Sequence, residues 1–270
     1  MLGARKRSAR RSKPQPEQTH KEDRMASSAP QNIFDDPVFF ENYRRLREQD
    51  SGLNGLLEIP ELYSLLPALD GLKILDLGCG FGDFARFARA HGAASVTGFD
   101  LSEKMLAQAR AATQDANISY HNLPLEQFSP EGKTWDLAIS SLALHYIEDF
   151  ARLSNTIFAA LKPGGEFIFS VEHPMCTAFP VGWQPYKEEV IWPVNHYHQQ
   201  GLRHTSWFVE DVQKYHRTTE TYVNTLLDSG FALTRMLETK PTEETLAQHP
   251  RLAKEMRRPA FLILRATRPR

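Results

Sequence analysis

From about residue 72 to 171 the chain alternates short apolar runs with amphipathic stretches. Ile74–Leu77, Ser95–Phe99, Ile118–His121, Trp135–Ser140 and Glu166–Val171 read as strands. Between them, Asp83–His91, Lys104–Thr113 and Phe150–Leu161 carry apolar residues at helical spacing, with Ser102 placed to cap the second and "KPGG" to end the third. Upstream, Phe39, Phe40, Tyr43 and Leu46 fall on one helical face, "DSGLN" interrupts, and a second helix spans Leu56–Leu66. Periodicity is lost from His173 to about Tyr215, so that stretch is expected to be irregular. A helix over Thr218–Leu227 and strands over Phe231–Leu237 and Ala260–Ala266 close the chain. Strands separated by helices predict a doubly wound α/β sheet with helices on both faces, right-handed crossovers, an N-terminal helical cap and an irregular insert after strand 5.

Composition narrows the function. The first 31 residues are polar and basic with few large apolar side chains, and are expected to form a disordered tail in preference to a targeting segment. Residues 32–270 then make one domain, with 32–70 as the cap and 173–215 as the insert. A net charge of -1 argues against nucleic acid as partner. Cys79 and Cys176 are too few for a disulfide framework, which fits a reducing, cytoplasmic setting, and no apolar run approaches the roughly 18 residues of a membrane span. His196, His198 and His204 lack Cys or carboxylate companions at ligand spacing, so no metal is expected. The expected assembly is a monomer or homodimer.

The chemistry concentrates after the first strand. Gly78, Gly80 and Gly82 alternate through "GCGFG", letting a ligand approach the turn, and Asp100 ends the second strand where a carboxylate can accept from both hydroxyls of a ribose. The dinucleotide fingerprint G-x-G-x-x-G would need glycine where Asp83 stands, and Asp76 adds negative charge that suits an ammonium or sulfonium better than a diphosphate. "ILDLGCGFG", "VTGFDLSEKML", "WDLAISSLALHYIED" and "LKPGGEFIFSVEHP" together resemble the successive motifs of class I S-adenosylmethionine-dependent methyltransferases of the small-molecule type.

That resemblance implies a seven-stranded mixed sheet of order 3-2-1-4-5-7-6 and S-adenosylmethionine as cofactor, leaving as S-adenosylhomocysteine. It places Gly78 and Gly80 against the methionine and ribose, Asp100 on the ribose hydroxyls, Leu101 and Met105 on the adenine, Leu123 beside the adenine and Ser140 near the methionine portion. Pro124 departs from the acid many relatives carry there. Tyr43 resembles the tyrosine that small-molecule members lay over the cofactor; as an alternative it belongs only to the helix's apolar face.

The reaction so implied is in-line transfer of a methyl group to an oxygen or nitrogen of a small-molecule acceptor, with a base needed only where the nucleophile must lose a proton. Candidate catalytic residues are His145, Glu172 and His173. Candidate acceptor contacts are Tyr146, Trp183, Tyr197, His216 and Arg217, the last two at the expected start of the final long helix. Arg257 and Arg258 read as solvated surface. An RNA or protein methyltransferase and a non-catalytic S-adenosylmethionine-binding regulator are the alternatives.

Overall fold

Seven strands form one sheet in the order β10-β11-β5-β4-β1-β2-β3 in a computed structural model that describes residues 30–49 and 52–270. The strands are β1 (Lys73–Leu77), β2 (Ser95–Asp100), β3 (Ile118–Asn122), β4 (Trp135–Ser140), β5 (Leu161–Glu172), β10 (Ala232–Glu238) and β11 (Phe261–Thr267). The first five are parallel and β11 runs antiparallel to both β5 and β10. Four further strands in two hairpins account for the gap in numbering: β6 (Gln184–Tyr186) with β7 (Glu189–Ile191), and β8 (Gly201–Trp207) with β9 (Val209–His216). Apart from the numbering, the order is the expected 3-2-1-4-5-7-6.

The two-residue period of β1 explains the layers. Leu75 and Leu77 face a core built with Phe150, Leu153 and Ile157 of α5 (Phe150–Ala160) and Tyr222 and Leu226 of α7 (Thr219–Asp228). Ile74 faces the opposite core, formed with Phe84, Ala85 and Ala88 of α3 (Asp83–Ala90) and Leu62 of α2 (Ile59–Ser64). The helix α4 (Glu103–Ala111) opens on Ser102, whose hydroxyl accepts from the Met105 amide at 3.0 Å. At the N-terminus, α1 (Pro37–Glu48) is capped by Asp36, and a π-helical turn over Asn54–Glu58 leads into α2.

The structure departs from the sequence reading in the insert and in the link between β10 and β11. The insert is not irregular: it holds α6 (Pro174–Ala178) and both hairpins. β10 and β11 are joined by α8 (Glu243–Gln248) and a 3-10 helix over Pro250–Arg257, neither anticipated. The expected tail of 1–31 lies outside the described residues up to 29, but Gln31 is tied to β9, its side chain donating to the Asp211 carbonyl at 2.8 Å and accepting from the Gln213 amide at 2.9 Å. No helix among the described residues is long and apolar enough to cross a membrane.

Candidate functional site

The order of the sheet reverses direction between β1 and β4, and the crevice at such a reversal is where open α/β sheets bind ligands. A cavity of about 170 Å³ opens there, walled by Asp76, Gly78, Gly80, Asp100, Leu101 and Met105, among others. The glycine turn is folded back on β2 because the amides of Gly78 and Cys79 both donate to the Phe99 carbonyl, at 2.8 and 3.0 Å. Gly78 has a φ of +77° and a Cβ there would stand 2.3 Å from Cβ of Ala143, so glycine is required by the close passage of the loop after β4. Gly80, at φ +51°, has nothing within 4 Å of where its Cβ would be. The space beside it is part of the cavity.

Asp100 braces this turn. Its Oδ2 accepts from the Gly80 amide at 2.8 Å and its Oδ1 from the Ser102 amide at 2.9 Å, leaving lone pairs on both oxygens for a ligand. Burial raises its pKa against those two bonds. Asp76 is more extreme. It is 4 % exposed, its Oδ2 has no hydrogen-bond partner, and burial, with Asp100 and Asp83 adding to it, pushes the carboxyl up to about 8. A buried carboxyl oxygen left without a partner in a ligand cavity asks for a cation or donor from the ligand.

Across β4 and β5 lies a larger cavity of about 890 Å³, whose walls include His145, Tyr146, Glu172, Trp192, Trp207 and Lys214. Phe34, Tyr43, Arg47, Asn54, Leu142 and Tyr146 line both cavities and form the passage between them. Tyr43 stacks on Phe81 (6.0 Å between ring centres) and meets Trp207 edge-on. Behind the passage, the fully buried Glu58 accepts from Asn54 Nδ2 at 2.6 Å and Ser141 Oγ at 2.9 Å, and burial lifts its carboxyl to about 7. Glu58, Arg47 and Asn54 went unnoticed in the sequence.

His145 is 2 % exposed and its Nδ1 accepts from the Glu172 amide at 3.4 Å, which leaves the ring proton on Nε2 as a donor. Burial takes its pKa down to about 3, so the ring is neutral and only a weak base. The Glu172 carboxylate accepts from Lys214 Nζ at 2.6 Å; burial opposes its ionisation, but Lys214 and His145 hold its pKa below the ordinary value.

Other candidates sit elsewhere. Ser140 is buried with its hydroxyl donating to the Leu77 carbonyl at 2.7 Å, and the neighbouring Ser141, Leu142 and Ala143 line the first cavity instead. Leu123 is not in that wall; its amide donates to the Asp100 carbonyl at 3.0 Å, while Leu125 and Glu126 supply the lining. His173 caps α6 by accepting from the Met175 amide (3.1 Å) and contacts Glu238 (2.9 Å) with its other nitrogen. Tyr197 pairs its hydroxyl with Thr219 Oγ1 (3.2 Å), and His216 lies between Thr177 Oγ1 (2.7 Å) and the Tyr197 carbonyl (2.8 Å). Arg217 is spent on the carbonyls of Ile147 and Glu148, and Trp183 packs edge-on against Trp192. None of these seven lines either cavity. Arg258, expected at the surface, is 7 % exposed and lines the larger cavity. Among the described residues no group of three or more His, Cys, Asp or Glu side chains is arranged to hold a metal ion.

Comparison with known proteins places this geometry. Residues 74–165 match the model of the methyltransferase domain. A solved structure from Mesorhizobium loti, described as an S-adenosylmethionine-dependent methyltransferase, is 46 % identical, with 81 % of this chain and 99 % of that chain covered at a TM-score of 0.76. One from Listeria monocytogenes, described as a putative S-adenosylmethionine-dependent methyltransferase, is 40 % identical over 79 % of this chain and 97 % of its own, at a TM-score of 0.74. An uncharacterized protein of Haemophilus influenzae is 39 % identical over 250 residues, 87 % of this chain and 96 % of that protein.

Proposed function

Because the chain belongs to the S-adenosylmethionine-dependent methyltransferases of class I fold, we propose that it moves the methyl group onto an oxygen or nitrogen of a small-molecule acceptor held in the larger cavity. The observation that carries this reading is the pair of cavities joined through Tyr43, Arg47 and Tyr146, one with an unpartnered buried carboxyl oxygen and the other walled by aromatic side chains. S-adenosylmethionine supplies an activated methyl group already attached to a good leaving group.

The residues present fit that cofactor. Asp76 would receive its ammonium, Arg47 is the cation in the same wall for its carboxylate, and Asp100 would take the ribose hydroxyls while Leu101 and Met105 flank the base. The open space beside Gly80 leaves room for the ribose against the turn. With the leaving group already activated, the work of the protein is to aim the acceptor along the S–CH₃ axis and to keep water out of the passage. Tyr43 and Tyr146 are placed to do both.

Isothermal calorimetry with S-adenosylmethionine and NAD tests the reading. Micromolar binding of the first is expected, and binding of NAD alone would refute it. A second check uses Asp76. Its pKa of about 8 lies above the ~3.9 of an unfolded aspartate, so between these values the folded state holds the extra proton and stability falls as pH rises. Ligand-free Asp76→Asn is therefore expected to melt several degrees above the wild type at pH 8, with the gap closing near pH 4. Saturating S-adenosylmethionine at pH 8 should reverse that order, since its ammonium partners the carboxylate and not the amide. An Asp76→Asn protein that binds the cofactor as tightly as the wild type would remove Asp76 from this role.

A further inference from the structure

The larger cavity carries an unusual charge distribution for a site so walled with aromatic rings. Its basic lining residues are Arg47, Lys214, Arg251 and Arg258, and its acidic lining is Glu172 alone. That single carboxylate is already bound by Lys214 at 2.6 Å. Lys214 is 5 % exposed, with its ammonium 5.2 Å from the ring centre of Trp207 and 5.9 Å from that of Tyr146. An ammonium has three N–H donors, and Glu172 occupies one. Arg258 meets the buried Glu255 at 3.0 Å through Nη2, while its Nε and Nη1 make no hydrogen bond and Trp192 lies against its guanidinium at 4.0 Å.

Proton acceptors are scarce in the same walls. His145 presents Nε2–H and is neutral. The thiol of Cys176 is pushed by burial up to about 12. The phenol of Tyr146 is driven well above its ordinary value by burial, with Glu172 adding to it. His204, bonded to Asp211, lies at the exposed rim and is not among the residues shared with the cofactor cavity. The walls of this cavity therefore offer a nucleophile cations and an N–H donor, while the lining groups Glu172 and His204 already hold partners in Lys214 and Asp211.

Building on the methyltransferase reading, we propose that the acceptor is a small carboxylic acid with a flat apolar body, held through its carboxylate by Lys214, His145 and Arg258 and methylated on that carboxylate oxygen. The balance closes without a base: a lone pair of the carboxylate oxygen forms the O–CH₃ bond as the S–CH₃ bond breaks. An anion and a sulfonium give a neutral ester and a neutral thioether, and no proton moves. A cationic amine would face Arg47, Lys214 and Arg258 with only a carboxylate already in use.

The test measures binding of benzoate and its neutral isostere benzamide to the full chain saturated with S-adenosylhomocysteine. Benzoate is expected to bind at least about tenfold more tightly, the scale of one charge-assisted hydrogen-bond set. That preference should disappear in Lys214→Met and in the charge-balanced double variant Glu172→Gln with Lys214→Met, which leaves no carboxylate unpaired. Equal binding of the two probes, or no benzoate binding at millimolar concentration, overturns the proposal. With a tritiated methyl donor and a panel of aromatic acids, phenols and anilines, label released as methanol by mild alkali is expected. Base-stable label on a phenol, lost in His204→Gln, would instead assign the rim histidine as a base and overturn it. Failure to bind S-adenosylhomocysteine at all would sink the methyltransferase reading, a result separate from any of these.

Discussion

Asp100→Ala is expected to weaken S-adenosylmethionine binding by two orders of magnitude or more while leaving a folded protein. The carboxylate has two tasks at once. Inside the protein it accepts from the amides of Gly80 and Ser102, fixing the glycine turn against the start of α4. Toward the ligand it offers its remaining lone pairs to the two ribose hydroxyls. Hydrogen bonds to a charged group contribute about 1.5–3 kcal/mol each, and about 1.4 kcal/mol is a factor of ten in affinity. Losing two such bonds therefore accounts for at least roughly a hundredfold even before the turn loosens. Calorimetry on the two proteins decides the matter, with circular dichroism to show that the variant is folded; affinities within threefold of each other would mean that Asp100 does not hold the ribose.

Gly78→Ala is expected to destabilise the domain more than Gly80→Ala in the same turn. The left-handed backbone at φ +77° costs an alanine about 1–2 kcal/mol. Its methyl would stand 2.3 Å from Cβ of Ala143, a separation that only movement of one backbone segment relieves, at about 1–3 kcal/mol more. The sum is about 2–5 kcal/mol, or roughly 5–15 °C in melting temperature for a domain of this size. Gly80→Ala is the matched control. Its φ of +51° carries a similar backbone cost, but the methyl meets no protein atom and enters the cavity. The first substitution should show mainly in a melting curve and the second mainly in cofactor affinity. Similar melting temperatures for the two would show that the loop after β4 yields without cost.

The middle of the sheet was legible because β1, β4 and β5 are buried on both faces and read as apolar runs, with Leu75 and Leu77 serving one core and Ile74 the other. The cofactor side followed, since Gly78, Gly80 and Asp100 sit at the ends of those strands. The insert was not legible, for a local reason. Its hairpins turn at Lys187 (φ +54°) and Phe208 (φ +59°), non-glycine residues in left-handed conformations that carry no turn signature. With β9 unrecognised, the sequence places His216 and Arg217 at the start of a helix, as acceptor contacts. The alternation in β9 was nonetheless present: Val212, Lys214 and His216 share its buried face, and a lysine in that series was the signal for the acceptor side. Arg258 could not be read from neighbours in sequence alone, because Trp192 and Trp183 reach it from another part of the chain.

Pro30, Gln31, Asn32, Ile33 and Phe34 line the smaller cavity, and the segment continues through the 3-10 turn Ile33–Asp35, which has no buried residue. It is held by polar bonds and one ring: Asp35 accepts from Ser102 Oγ at 2.5 Å and the Lys104 amide at 3.1 Å, Asn32 donates to the Leu101 carbonyl at 3.3 Å, Gln31 is tied to β9, and Phe34 meets Phe39, Tyr43 and Tyr146 edge-on. Segments with little apolar burial part from a fold at low free-energy cost. This wall of the smaller cavity is therefore expected to part at lower cost than the strands and helices behind it, so it can open while the sheet and both cores stay closed. The same segment joins the cap of α4 to β9, so the flank of α1 couples the smaller cavity to the hairpin that walls the larger one.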